Sequence, residues 1–562
     1  MATIRTLLLD AAAQRPSGIS LRWKADGEWR TWTFADYNSK ARNVAEAAAS
    51  LGEKPGMRVA LMMENRPEWI TTYLGLACCG IEVVPIDINL REREVSHILR
   101  DSGATALFAS GKAWPQIHAI ETGELRLDSL KSVVMLDGVF TQERKENGIF
   151  HTDYDSLLAS TEKASARPDS FFDRHVPSES DIASIIYTSG TTGRSKGAML
   201  THGNFTAQIS AALQYFTVYT WDNFLLVLPL HHAFAFTANF LVPLKSMCES
   251  SMVENLRTIP ENMREVSPTV LLAVPLLAEK MLNSIQAKLK KNTVAKVMIT
   301  LGMSKIIGKK VVGNLGGRLR LIICGGAASD PAMLRAYNKM GIKTFEGYGL
   351  TETSPIAALP PENEIRIGTV GKSLPGCELE INNPDENGIG EVMVKGPIVM
   401  KGYFHNDAAT AEVIKDGWLH TGDLGKLDSE GYLTLTGRKK SLIVNREGKN
   451  IYPEEVELAI KDSEYILESI VIGYSLNGET GERVGVIVVP NLDRIEEDRK
   501  SKGQSMSDED IIALCKNEVH RTVKAIAEYK RPRRIQIRFE PLEKTTTQKV
   551  KRYLYNLDNS GE

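Results

Sequence analysis

The sequence predicts an α/β protein: a large N-terminal lobe of doubly wound sheets with a small β-rich subdomain, followed by a small α+β C-terminal lid. Three observations lead there. Short apolar, β-branched runs alternate with helical patterns through the first two thirds of the chain. The texture then changes to short strands broken by Asn-Gly and Asp-Gly turns, and a last compact stretch opens with a helix after Pro453. The 562 residues suffice for several folding units of about 100–200 residues each. The expected division is residues 1–438 for the lobe, with its β-rich part near 369–438, and residues 439–562 for the small C-terminal domain.

Taken in order, Met1 to Pro16 reads as an amphipathic helix stopped by Pro16, because Asp10 cuts short the apolar run Leu7-Leu8-Leu9 that a signal peptide would extend. Strand at 59–63, helix near 67–79, strand at 81–85, helix near 92–101 and strand at 105–108 form βαβ units, which require parallel pairing. The theme returns at 184–187, 225–228, 269–272 and 321–324. From Phe224 to Leu244 there is no Asp, Glu, Lys or Arg, long enough for a membrane span, but Pro229, His231, His232, Asn239 and Pro243 punctuate it. Strand, loop and buried helix is the expected reading. Turns at Asn387-Gly388, Asp416-Gly417 and Glu430-Gly431 mark the β-rich part.

Composition bounds the function. Lys+Arg total 68 against 70 Asp+Glu, a net charge of −2, so the chain lacks the overall basic excess of a nucleic-acid binder. With 43% hydrophobic and 25% charged residues it is an ordinary globular sequence. The six cysteines form no metal-ligand spacing, and the adjacent Cys78 and Cys79 are poorly placed for a disulfide, which fits free thiols and a cytoplasmic location.

The most informative segment runs from Ser184 through Tyr187-Thr-Ser-Gly-Thr-Thr-Gly-Arg-Ser-Lys-Gly197, a buried strand entering a Gly/Ser/Thr loop. Gly190, Gly193 and Gly197 let the backbone curl around an anion, Thr188, Ser189, Thr191 and Thr192 offer hydroxyl donors, and Lys196 adds positive charge. A polyphosphate suits that chemistry. It is not the Walker loop, because Arg194 and Ser195 separate the second glycine from the lysine.

This loop resembles the signature of the AMP-forming acyl-adenylating enzymes, which include acyl-CoA and aryl-CoA synthetases, nonribosomal adenylation domains and firefly-type luciferases. Further motifs follow in the family's order over nearly the whole chain. Gly347-Tyr-Gly-Leu-Thr-Glu-Thr353 offers an aromatic face at Tyr348, a hydroxyl at Thr351 and a carboxylate at Glu352 suited to Mg²⁺. The resemblance assigns Tyr348 and Gly349 to the nucleotide, Thr351, Glu352, His232 and Lys549 to catalysis, and Thr191 and Glu352 to the metal. Cys324-Gly-Gly-Ala-Ala-Ser329 ends a strand, the edge at which open α/β sheets receive ligands; in relatives this turn, here Gly325, Gly326 and Ala327, meets adenine and the acyl group. Asp423 in Trp418-Leu-His-Thr-Gly-Asp423 is assigned the ribose hydroxyls, with Arg438 assisting. Lys549, in Leu542-Glu-Lys-Thr-Thr-Thr-Gln-Lys-Val-Lys-Arg552, aligns with the family's terminal lysine, which neutralises charge between the attacking carboxylate and the α-phosphate. Glu543 and Gln548 depart from the usual Pro and Gly there, with Lys544 and Lys551 as fallbacks. Lys440 matches the hinge of the rotating C-terminal domain. Glu447 to Pro453, with Gly448 and Lys449, matches the segment turned toward the CoA channel, although a Gly turn with a helix cap explains it too.

Leu228-Pro-Leu-His-His-Ala-Phe-Ala-Phe-Thr237 resembles the motif whose histidine borders the acyl pocket. His232 is the better match, with Phe236 and Gly325 as companions, and a packed core histidine is the competing reading. Its apolar surroundings, and no evident Asp for an α-amine, favour a medium- or long-chain fatty acid. Between Glu279 and Asp330 the chain has no acid, but it has Lys280, Lys288, Lys290, Lys291, Lys296, Lys305, Lys309, Lys310, Arg318 and Arg320. With Met281, Leu282, Ile285 and Leu289 interleaved, 280–320 reads either as a basic amphipathic face for an anionic membrane or as a solvated helix face. Lys530-Arg531-Pro532-Arg533-Arg534 either meets CoA phosphates or is plain surface. The resemblance therefore implies an ATP- and Mg²⁺-dependent fatty acid–CoA ligase, cytoplasmic or peripheral on the inner face of a membrane. The alternatives are an acyl-AMP ligase loading an acyl-carrier protein, an aryl-acid CoA ligase and a non-catalytic fatty-acid-binding relative.

Overall fold

The computed structural model describes residues 2–122, 127–188, 195–291, 304–475, 481–502, 506–544 and 550–557. Two compact units emerge: residues 1–379 with 394–419, and residues 380–393 with 420–562.

The first unit is built on two large sheets. In the seven-stranded sheet, Ile19–Ala25, Glu249–Met252, Asn223–Leu226, Val270–Ala273, Leu321–Cys324 and Lys343–Glu346 run parallel, and Glu28–Thr33 closes one edge antiparallel. In the nine-stranded sheet the parallel centre comprises Ile182–Thr188, Glu82–Pro85, Arg58–Met62, Ala106–Ala109, Ser132–Met135 and Ile149–Asp153. The central strands Arg58–Met62, Ala106–Ala109 and Ser132–Met135 are short and almost wholly buried, as the alternating pattern requires. The helices Pro67–Ala77 and Glu92–Ser102 lie where the periodicity puts them; proline at the first turn starts one, and Gly103 in the left-handed region ends the other.

The uncharged stretch folds as strand Asn223–Leu226, a loop, and consecutive helical segments Ala233–Ala235, Phe236–Leu241 and Val242–Ser246. Among the described residues no helix is long and apolar enough to cross a membrane. The helix Pro275–Lys291 turns its apolar face inward: Ala278, Leu282, Met281, Ile285 and Leu289 pack against the core beside Val311 and Tyr337. Lys280 and Lys288 remain exposed. The apolar side of this helix is thus consumed by the protein's own interior.

One strand of the β-rich stretch pairs elsewhere. Gly402–Tyr403 joins the nine-stranded sheet antiparallel to Lys196–Thr201, with Ala198 opposite Tyr403. In the second unit, 380–382, 390–393 and 420–427 lie in one sheet, and Leu433–Arg438 pairs antiparallel with the last of them. A further sheet of Ile466–Tyr474, Arg483–Pro490 and Arg534–Ile537 packs against helices Pro453–Ile460 and Asp508–Thr522. All six cysteines are free thiols, and burial is the main cause pushing each of them up from its ordinary pKa.

Candidate active site

In the first unit, strand Ile182–Thr188 runs into the glycine-rich loop and Lys196–Thr201 returns from it antiparallel, with Thr188 directly opposite Lys196. Ser189, Gly190, Thr191, Thr192 and Gly193 lie outside the described residues. Their two flanks are pinned to one helix, Glu92–Ser102. Tyr187 Oη donates to Asp101 Oδ2 at 2.6 Å, and His97 Nε2 is 2.9 Å from the Ser195 carbonyl. Gly197 is required by space: a Cβ there would lie 2.7 Å from Ile185 Cγ2 and 3.0 Å from the Tyr187 ring.

The Gly347–Thr353 motif follows strand Lys343–Glu346 and ends in a short 3₁₀ turn, Thr351–Thr353. Tyr348 is nearly buried and forms a bridge with Ala358, its amide donating to the Ala358 carbonyl at 2.9 Å. Gly349 admits no side chain, since a Cβ would come within 2.0 Å of the Pro355 carbonyl oxygen. Glu352 is held at both ends: the Met400 amide donates to its carbonyl at 2.9 Å, and Tyr403 Oη donates to its Oε1 at 2.7 Å. Tyr403 in turn has the Lys196 ammonium 5.2 Å from its ring centroid. Burial, together with the Glu352 charge, raises the Tyr403 hydroxyl's pKa, so it stays a donor. Tyr403 therefore joins the lysine of the loop to the acidic motif. Sequence reading missed it, and its signal was only a Gly-Tyr pair in a β-rich stretch.

The turn after Leu321–Cys324 lies at the carboxyl edge of the parallel sheet. Gly325 is buried, Gly326 adopts φ +86°, and Gly326 and Ala327 are exposed. A second residue missed from sequence sits beside them: Glu346 Oε2 accepts from the Ser329 amide at 3.1 Å, and burial pushes this carboxyl up to about 7. The ring against Gly325 is Phe234, whose Cζ would lie 3.0 Å from a Cβ there. Phe236 instead packs in a buried aromatic cluster with Trp69, Tyr73, Phe205 and Phe240. His232 is half-buried, with its Nε2 3.2 Å from His231 Nε2.

In the second unit, Asp423 and Arg438 are opposite partners across two antiparallel strands, and Arg438 Nε lies 2.7 Å from Asp423 Oδ1. Asp423 is buried while Arg438 is 41% exposed, so the guanidinium reaches solvent while it orients the carboxylate. The exposed Lys440 follows. Gly448, at φ +73°, forms the turn of the hairpin Ile443–Val444 and Asn450–Ile451; Lys449 pairs with Glu447 at 2.8 Å and stands 4.8 Å from the Tyr529 ring centroid. Nearby, Glu391, Lys439, Asn450 and Tyr452 help line a cavity of about 260 Å³. Lys549 lies outside the described residues; Lys544 and Val550, which flank its segment, form an antiparallel bridge. Lys544 is paired to Glu468 at 2.5 Å, Lys530 to Glu455 at 2.7 Å, and Arg531 and Arg534 donate to main-chain carbonyls.

Residues 8–404 match the AMP-binding enzyme family. The chain belongs to the AMP-binding enzyme family. Among similar members, a long-chain-fatty-acid–CoA ligase of Mycobacterium bovis is 30% identical over 477 residues, covering 80% of this chain and 76% of that one. A long-chain-fatty-acid–CoA ligase of Escherichia coli O6:H1 is 30% identical over 554 residues, covering 94% and 89%. An anthranilate CoA ligase solved with anthranoyl-AMP superimposes with a TM-score of 0.76 over 98% of this chain and 96% of its own, at 21% identity, which establishes the fold of this AMP-binding enzyme. That fold is the large N-terminal lobe with a smaller C-terminal part that the α/β reading predicts.

Proposed function

We propose that this AMP-binding enzyme is an ATP-dependent fatty acid–CoA ligase. The observation that carries the reading is the family match together with relatives named long-chain-fatty-acid–CoA ligase that extend over up to 96% of the chain. In the first half-reaction a fatty carboxylate attacks the α-phosphorus of ATP, giving acyl-AMP and pyrophosphate. In the second, the CoA thiolate attacks the acyl carbonyl and AMP departs.

Each residue has a task in that sequence. Thr188, the hydroxyls of Ser189, Thr191 and Thr192, the glycines and Lys196 cradle the β- and γ-phosphates. Tyr348 faces the adenine, Gly349 and the turn Gly325–Ala327 allow close approach, and Asp423, oriented by Arg438, accepts from the ribose hydroxyls. Thr351 donates to the α-phosphate. The Glu352 carboxylate has one oxygen satisfied by Tyr403 and a second to offer a hard cation, so Glu352 with Thr191 would hold Mg²⁺, which supplies charge neutralisation on the triphosphate. Lys549 approaches the α-phosphate for adenylation and is withdrawn by rotation of 439–562 about Lys440, bringing Gly448 and Lys449 toward CoA. His232 and Gly325 border the acyl chain, with Phe234 as the adjoining ring and Phe236 supporting from the core.

Free CoA is the proposed acceptor, with an acyl-carrier protein as the alternative. Contact of 280–320 with an anionic membrane would use, among the described residues, the exposed Lys280, Lys288, Lys309 and Lys310, while the apolar side of helix Pro275–Lys291 is packed inward. A panel of medium- and long-chain fatty acids and aryl acids, scored by pyrophosphate release, tests the substrate. Fatty acids should give the highest kcat/KM; turnover confined to aryl acids would overturn the reading.

A further inference from the structure

His232 does not stand alone. Asp87, just beyond strand Glu82–Pro85 of the nine-stranded sheet, meets His231 and His232, which follow strand Asn223–Leu226 of the seven-stranded sheet. Asp87 and His231 are 6% and 8% exposed, and His232 is half-buried. His231 Nε2 lies 3.2 Å from His232 Nε2 and 3.4 Å from Asp87 Oδ2, and one ligand atom from each residue falls within 4.8 Å of the others.

We propose that Asp87, His231 and His232 form a binding site for a divalent transition-metal ion of the Zn²⁺ class, separate from the Mg²⁺ that accompanies ATP. Tetrahedral zinc with bonds of about 2.0–2.2 Å to nitrogen and oxygen sets its ligand atoms about 3.3–3.6 Å apart, close to the two separations observed. An ion placed among the three would offset the charge of the buried carboxylate. Two imidazoles and one carboxylate favour Zn²⁺, Co²⁺ or Ni²⁺ over Mg²⁺ and Ca²⁺, which take oxygen ligands. The carboxylate is also oriented from behind: the Asn89 amide and its Nδ2 both donate to Asp87 Oδ1 at 2.9 Å, which leaves Oδ2 toward His231.

An ion there would bridge the two large sheets and fix His232. Its effect on acid entry rests on the ligase reading, but its binding does not. The test is a titration of the untagged, chelator-treated full chain with Co²⁺ alone, followed in the visible region. One equivalent should produce the d–d bands of a tetrahedral site, Zn²⁺ should abolish them and raise the melting temperature, and Mg²⁺ should do neither. Asp87→Asn, His231→Gln and His232→Gln should each weaken Co²⁺ binding at least tenfold, with circular dichroism confirming that the variants compared are folded. Absence of a saturable band, or folded variants that titrate like the parent, would overturn the site and leave only a hydrogen-bonded trio. Fatty-acid turnover, measured separately, distinguishes that result from failure of the ligase reading.

Discussion

Tyr403 Oη donates to Glu352 Oε1 at 2.7 Å, across a gap of 51 positions in sequence. The tyrosine is itself fixed, because its amide donates to Thr410 Oγ1 at 2.9 Å and its strand is paired with the one that begins at Lys196. A hydrogen bond to a charged group contributes roughly 1.5–3 kcal/mol, and about 1.4 kcal/mol is tenfold in rate. Tyr403→Phe should therefore lower fatty-acid-dependent pyrophosphate release by about tenfold to a hundredfold and raise the Mg²⁺ concentration needed for half-maximal rate. Steady-state kinetics at varied Mg²⁺ checks this; an unchanged Mg²⁺ dependence would remove Tyr403 from the site.

On the role proposed for Asp423, Asp423→Asn would keep the shape of the side chain but weaken acceptance from the ribose hydroxyls, and it removes the charge that pairs with Arg438. The KM for ATP should rise by about tenfold, the scale of one charge-assisted hydrogen bond, while the KM for the fatty acid stays near its original value. Equal increases in both would indicate a general structural defect.

Glu346 makes stability depend on pH. Burial raises its folded-state pKa from 4.5 to about 7, so between those values the unfolded chain releases a proton that the folded chain keeps. The stabilisation from this group is complete below about 4.5 and is lost as pH rises through 7. The loss is on the order of 1–3 kcal/mol. Glu346→Gln should flatten that part of the stability profile, measured by denaturant unfolding at several pH values. A parent and variant with the same slope would show that Glu346 is not held protonated.

Lys549→Ala should abolish acyl-AMP formation and spare CoA attack on supplied acyl-AMP, whereas Lys440→Pro should do the reverse by stiffening the hinge. Single-turnover assays of the two half-reactions separate them. Loss of both halves in either variant would contradict the alternation of 439–562.

Much of this arrangement was legible in sequence because it is local. The strand entering the loop and the glycines of 347–349 lie in short contiguous patterns, whereas the roles proposed for Asp423 and Arg438 come from the resemblance to a known family. Tyr403, Glu346 and Phe234 were not legible, since each acquires its role by tertiary contact. Gly402–Tyr403 reads as part of the β-rich stretch and pairs into the distant nine-stranded sheet. Phe236 has the same apolar context as Phe234, and only packing shows that one ring enters the aromatic core and the other meets Gly325. The basic helix Pro275–Lys291 shows the same limit, because an amphipathic pattern fits a bilayer and the protein's own core equally well.

The most direct test of the central claim follows the fate of ATP labelled at the α-phosphate when a long-chain fatty acid is supplied first without CoA and then with it. Without CoA, label should accumulate as enzyme-bound acyl-AMP with one pyrophosphate released per site; adding CoA should convert it to free AMP with an equal yield of acyl-CoA. Label recovered as ADP, or acyl-AMP that CoA fails to discharge, would contradict a fatty acid–CoA ligase.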